Sequence, residues 1–96
     1  MYEGEFVNGN REGKGSYTFN RYYKYTGEWQ NNLFHGKGKL YRRNELFFEG
    51  NFVAGLKQGP GMYKYENGDK FEGIYFKDEK RGKGKYTFAE GRQLDA

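Results

Sequence analysis

Aromatic and polar positions alternate along this chain in short bursts. Tyr2, Gly4 and Phe6 alternate with Glu3 and Glu5, and Gly15, Tyr17 and Phe19 alternate with Lys14, Ser16 and Thr18. Alternation with a period of two marks a strand with one buried face. Between the bursts, Val7 to Lys14 contains Asn8-Gly9 and reads as a hairpin loop. The paired bursts then return. Tyr25-Thr26-Gly27-Glu28-Trp29 precedes Gly36-Lys37-Gly38, Phe48-Glu49-Gly50-Asn51-Phe52 precedes Gly59-Pro60-Gly61, and Phe71-Glu72-Gly73-Ile74-Tyr75 precedes Gly82-Lys83-Gly84. Tyr2, Tyr25, Phe48 and Phe71 follow one another at intervals of 23 residues without slippage. A fixed period in the twenties marks a stacked-repeat architecture. The predicted fold is all-β, an elongated antiparallel sheet or solenoid of four stacked 23-residue β-hairpins. Residues 1–96 form a single array with units 2–24, 25–47, 48–70 and 71–93, and 94–96 opens a truncated fifth.

The alternation suggests a register with Phe6 opposite Gly15, Gly4 opposite Tyr17 and Tyr2 opposite Phe19. Equivalent pairs are Gly27 with Leu40, Gly50 with Tyr63 and Gly73 with Tyr86. Each of these glycines except Gly27 would then face a ring that covers its exposed backbone. Five-residue links at Asn20 to Lys24, Arg43 to Phe47, Glu66 to Lys70 and Ala89 to Gln93 preserve the parity of the aromatic face. Two strands per unit make one meandering sheet of about eight strands, curved by strand twist. The second unit departs most, with Leu40 and Arg42 where the others carry Tyr or Phe. Arg42-Arg43 is either a local basic spot or the site of an arginine stacked on a neighbouring ring. Pro60 lacks a ladder donor, so its backbone should face solvent or a bulge.

The opposite face sorts its charges. First strands carry Glu3, Glu5, Glu28, Glu49 and Glu72, and second strands carry Lys14, Lys37, Lys39, Lys64, Lys83 and Lys85. Cross-strand ion pairs on a solvated face account for this pattern. Composition sharpens the picture. Hydrophobic residues are only 34% of the chain but aromatics are 21%, so the core must be built from rings and the chain is not a disordered one. Sixteen glycines and one proline favour strands and tight turns over helices. The absence of cysteine excludes a disulfide framework and a zinc ribbon. No apolar run is long enough to span a membrane, and Met1 leads directly into the first unit without a signal peptide. A net charge of +4 favours acidic partners or anionic surfaces.

Candidate chemistry is sparse. Gly13-Lys14-Gly15 lacks the third glycine of a dinucleotide loop, and Gly36-Lys37-Gly38 lacks the Ser or Thr of a phosphate loop. His35 is the only histidine and reads as a turn residue, so no metal cluster or Cys–His pair can form around it. The carboxylates recur with the repeat, as structural residues do. No enzymatic activity, cofactor or metal is expected. Aromatics on a basic sheet suggest single-stranded nucleic acid, but the identical glycine partner of each ring points to a structural role.

Tyr/Phe-x-Gly-x-aromatic followed by a turn and Gly-x-Gly-x-Tyr-x-Phe/Tyr at this period resembles the MORN repeat (membrane occupation and recognition nexus) in all four units. The resemblance implies stacked hairpins with an aromatic groove and a non-catalytic scaffolding or targeting role. It points to a larger assembly, ciliary, axonemal or otherwise cytoskeletal, in an intracellular setting that includes the cilium or cortical membrane. The candidate partner-binding groove comprises Tyr2, Phe6, Trp29, Phe52 and Tyr75. The candidate anionic-surface contacts are Lys14, Lys37, Lys39, Lys83 and Lys85. Expected partners are proteins of a larger complex. Self-association through open sheet ends, which should be covered in the functional state, and binding to anionic lipid are the further options. A third class is an accessory repeat domain of a larger enzyme.

Overall fold

Turn chemistry sets the scaffold. Asn8-Gly9, Asn31-Asn32, Ala54-Gly55 and Lys77-Asp78 hold both residues at positive φ, between 48° and 84°. These are two-residue type I′ turns, whose twist matches that of the strands they join. The computed structural model describes residues 1–95. Its strands are β1 (Tyr2–Val7), β2 (Asn10–Thr18), β3 (Tyr23–Gln30), β4 (Leu33–Arg42), β5 (Glu45–Val53), β6 (Leu56–Lys64), β7 (Lys70–Phe76), β8 (Glu79–Thr87) and β9 (Gln93–Asp95). They form one antiparallel nine-stranded sheet in chain order, measuring 47 × 27 × 15 Å. The all-β, four-hairpin reading holds. A ninth strand, Gln93–Asp95, pairs with β8, while Ala96 lies outside the described residues.

The register differs from the expected one. The loop between β1 and β2 is only Asn8-Gly9, not Val7 to Lys14, so Phe6 faces Arg11. A bulge then shifts the pairing, and Gly4 faces Gly15 while Tyr2 faces Tyr17. Gly13, Gly36, Gly59 and Gly82, the first glycine of each Gly-x-Gly element, carry the bulge at φ between 69° and 88°. A side chain is strained at such φ, whereas glycine adopts it freely. The second glycine of the first three elements faces other glycines. Gly4, Gly15, Gly27, Gly38, Gly50, Gly61 and Gly73 follow one another directly across seven strands. One lead ring covers two of them, the glycine two residues later on its own strand and that glycine's partner on the next strand. A Cβ at Gly50 would lie 2.9 Å from Phe48 Cζ, and one at Gly61 2.7 Å from the same atom.

These lead rings also join the repeats. Tyr2 meets Trp29 at 5.2 Å, Tyr25 meets Phe52 at 5.4 Å and Phe48 meets Tyr75 at 5.3 Å, with planes nearly perpendicular. Edge-to-face pairs contribute roughly 0.5–1.5 kcal/mol beyond the area they bury. Turn amides bond the hairpins at their tips: Asn32 N–H donates to Arg11 O (3.2 Å), Gly55 N–H to Phe34 O (2.9 Å) and Asp78 N–H to Lys57 O (3.0 Å).

The lead tyrosines also place their hydroxyls on backbone, Tyr2 donating to Glu5 O and Tyr25 to Glu28 O, each at 2.9 Å. Trp29 Nε1–H donates to Gly15 O at 3.0 Å. The Tyr75 hydroxyl is buried without a hydrogen-bond partner among the described residues. An unsatisfied buried polar group costs about 1–3 kcal/mol, and Phe52 occupies the equivalent slot one repeat earlier. Tyr75→Phe should therefore raise stability by about 1 kcal/mol in thermal or urea unfolding. A lower Tm would show that the hydroxyl has a stabilising role.

The expected cross-strand charge pairs are partly replaced by another device. Lys39 Nζ and Glu49 Oε2 form an ion pair at 3.7 Å. Glu5 and Glu28 instead accept the bulge amides of Lys14 (2.6 Å) and Lys37 (2.7 Å). In the third repeat Asn51 stands in place of that glutamate, and Pro60, which has no N–H, stands in place of the lysine. Donor and acceptor are lost together, so Pro60 sits at the bulge without an orphaned partner.

Candidate functional site

The bulge places one residue per hairpin directly over the aromatic face. Arg11, Phe34, Lys57 and Lys80 pair across the strands with Phe6, Trp29, Phe52 and Tyr75. The Arg11 guanidinium lies 5.0 Å from the Trp29 ring, 5.1 Å from Tyr17 and 5.7 Å from Tyr2. It donates weakly to Asn32 O at 3.4 Å. Phe34 stacks on Tyr25 at 3.8 Å with planes 7° apart. The Lys57 ammonium sits over Phe48 (4.7 Å), Tyr63 (5.5 Å) and Tyr75 (5.7 Å). Burial lowers its pKa; nearby Asp78 opposes that shift and Lys80 adds to it. Lys80 lies 4.5 Å from the Phe71 ring and donates to the Tyr65 hydroxyl at 2.9 Å. Sequence reading missed this row because it assigned residue 11 to a loop. The same 23-residue period that linked Tyr2 to Tyr25 also links these four positions.

The five rings named as groove residues separate by depth. Trp29, Phe52 and Tyr75 are 4%, 2% and 3% exposed. They are core residues that hold the repeats together and offer little surface to another molecule. Tyr2 is half-buried. Phe6 is 60% exposed and meets the Tyr2 ring edge-on at 5.0 Å. The open surface lies beside them, where Arg11, Tyr17, Phe19, Trp29, Leu33 and Phe34 line a shallow groove of about 350 Å³ between the first and second repeats. Phe19 and Leu33 are each 47% exposed there.

The candidate lysines occupy the other face. Lys14 lies opposite Glu28, Lys39 opposite Glu49, and Lys85 between Glu72 and Asp95. Lys37 faces Asn51, and Lys83 is exposed on β8. Lys14, Glu28 and Lys37 line one trough of about 590 Å³, and Lys37, Lys39 and Glu49 line a second of about 520 Å³. Acids interrupt the lysine row along its length.

The second repeat resolves its arginines by stacking. Arg42 lies 5.1 Å from the Phe47 ring and pairs with Glu66 at 3.4 Å, and Arg43 lies 5.0 Å from the Tyr22 ring. His35 lies within β4 rather than in a turn, because the turn there is Asn31-Asn32. Among the described residues no cluster of three or more His, Cys, Asp or Glu is placed to hold a metal. Among them no helix is long and apolar enough to cross a membrane.

One buried carboxylate has a structural task. Asp69 accepts the Tyr86 hydroxyl (2.6 Å), the Ala89 amide (2.8 Å) and the Asn67 amide side chain (3.2 Å). The Tyr86 bond, with help from Ala89 and Asn67, holds the Asp69 pKa below its ordinary value against the effect of burial. A lowered carboxyl pKa contributes stability that is present above the unfolded value and lost as pH falls through the folded one. Asp69→Ala should therefore melt well below the parent at neutral pH, and the gap should narrow on acidification towards pH values below the usual carboxyl range, near 4. A gap constant with pH would remove the carboxylate from this account.

Comparison with curated proteins returns no match. The MORN repeat family model matches residues 2–21, 25–45, 48–70 and 71–91. These matches span the hairpins that carry the bulges, the glycine row and the interlocking rings. The chain belongs to the MORN repeat family.

Proposed function

We propose that this chain is a non-catalytic scaffold module that docks a protein partner on its aromatic face within a larger assembly. MORN repeats occur in protein-interaction and membrane-binding modules and are in general non-catalytic. The observation that carries the protein-docking reading is the groove between the first two repeats. There the half-exposed Phe19 and Leu33 flank a guanidinium held among three rings. Exposed apolar surface rimmed by polar groups is the usual form of a docking site, and aromatic and arginine side chains supply most of the binding energy at such sites. A cytoskeletal or axonemal assembly is the setting that the family resemblance supplies for this proposal.

Cross-linking pulldown from the source cell tests it, comparing the parent with the Phe19→Ser, Leu33→Ser double variant. A protein captured by the parent and lost by the folded variant is the expected result. Vesicles provide the opposing arm. Sedimentation with anionic phospholipid should be weak at physiological salt, because acids interleave the lysines. Strong sedimentation that fades with added salt, and that is abolished by reversing Lys37, Lys39, Lys83 and Lys85 to Glu, would replace protein docking with membrane-surface binding.

A further inference from the structure

We propose that the aromatic face selects a partner segment that combines carboxylates with apolar side chains, the carboxylates meeting Arg11, Lys57 and Lys80. This deepens the docking reading above and rests on it. Five cations lie over rings in or beside this face: Arg11, Arg42, Lys57, Lys80 and Arg92. Arg42 is paired with Glu66 and Arg92 with Glu90. Arg11, Lys57 and Lys80 form no ion pair among the described residues.

The nearby acids are otherwise engaged. Asp78 accepts the Lys57 amide, Glu12 the Asn31 amide, and Asp69 the Tyr86 hydroxyl. The face is rich in rings, and Asp78 bears on the charge of Lys57 without forming an ion pair with it. Its cations already lie over the rings, so ordering them on binding costs less than ordering free side chains. Arg11 has guanidinium N–H groups beyond its one weak bond to Asn32 O, in a fork that matches a carboxylate.

The spacing defines the complementary segment. The four positions stand on β2, β4, β6 and β8, two strands apart, so neighbours are separated by about 10 Å. Phe34 occupies the second position and requires an apolar side chain there. A segment crossing the strands would thus present an acid, an apolar group, an acid and an acid. The groove lined by Phe19 and Leu33 adjoins the first of them.

Selection from a displayed library of random short peptides on the parent protein tests this. Enriched peptides should carry Asp or Glu beside Leu or aromatic residues. Converting those acids to their amides should weaken binding about tenfold or more. Binding should also weaken as salt is raised. Arg11→Met with Lys57→Met keeps apolar stems on the rings and should cause a similar loss, whereas Lys14→Met with Lys83→Met on the other face should not. The amide peptides and the salt titration decide the matter on the parent protein if the Met variants fail to fold. Enriched peptides that lack acids, or that bind equally as amides, would overturn acid selection while leaving the docking site in place. Peptides insensitive to Phe19→Ser with Leu33→Ser, or none enriched, would overturn both readings. Arg11-dependent binding of phosphatidylserine vesicles with no peptide bound would assign these cations to a lipid surface and overturn the proposal.

Discussion

Gly50→Val should unfold the protein or leave it only marginally stable. A Cβ at Gly50 would stand 2.8 Å from Gly61 Cα, 2.9 Å from the Pro60 carbonyl oxygen and 2.9 Å from Phe48 Cζ. Two of these atoms belong to backbone and cannot swing away. The third belongs to a fully buried ring that packs on Phe52 and Tyr75. Relief requires either a parting of β5 from β6 or expulsion of Phe48. Expelling a core aromatic costs about 3–5 kcal/mol, judged from Phe→Ala truncations. Domains of this kind have about 5–15 kcal/mol in total. The expected readout is a loss of the cooperative thermal transition, or a Tm far below that of the parent. A double-mutant cycle identifies the clashing neighbour. Gly50→Ala combined with Phe48→Leu should be partly non-additive, because the smaller side chain removes one of the three close contacts and leaves the two to backbone. The register expected from alternation alone would instead place that coupling at Tyr63. A Gly50→Val melt identical to the parent would rule out the glycine row as the site of close strand approach.

Alkaline solution should unfold the chain through its tyrosines. Burial is the largest cause raising the phenol pKa of Tyr25 and Tyr75, with Tyr75 pushed up to about 12. The bond to Asp69 is the largest cause raising that of Tyr86 to about 12. Unfolded tyrosine ionises near pH 10. Above that value the unfolded chain releases protons that the folded chain retains, so unfolding becomes progressively easier. The stabilisation is complete below pH 10 and is lost as pH rises towards 12. For Tyr75 alone the loss is about 2–3 kcal/mol, and Tyr25 is pushed further in the same direction. The last part of the phenolate absorbance should therefore develop together with the loss of far-ultraviolet dichroism as pH rises towards 12. Tyr75→Phe should move the midpoint upward. Full phenolate absorbance while the sheet signal stays intact would show that these rings ionise without leaving their sites.

Periodicity and alternation by themselves determined the all-β class, the four units and the aromatic composition of the core. These properties depend only on which residues recur and how often. A side-chain period of two cannot survive in a helix, and a fixed 23-residue interval admits only stacked units. The asparagine and glycine pairs also located the first turn. Tertiary structure decided the pairing. Alternation leaves registers that differ by two residues equivalent, since both keep the same side chains on the same face. The two-residue turns and the bulges at Gly13, Gly36, Gly59 and Gly82 selected one of them. That selection turned ring-over-glycine pairs into a continuous glycine row. It buried Trp29, Phe52 and Tyr75 between repeats, and lifted Arg11, Lys57 and Lys80 from an apparent loop onto the rings. Glu5 and Glu28 were legible as acids in a strand, but their use as acceptors for bulge amides depends on where the backbone N–H groups point. Such directions follow from the fold, because hydrogen-bond geometry depends on the pairing of strands distant in sequence, which local pattern does not encode.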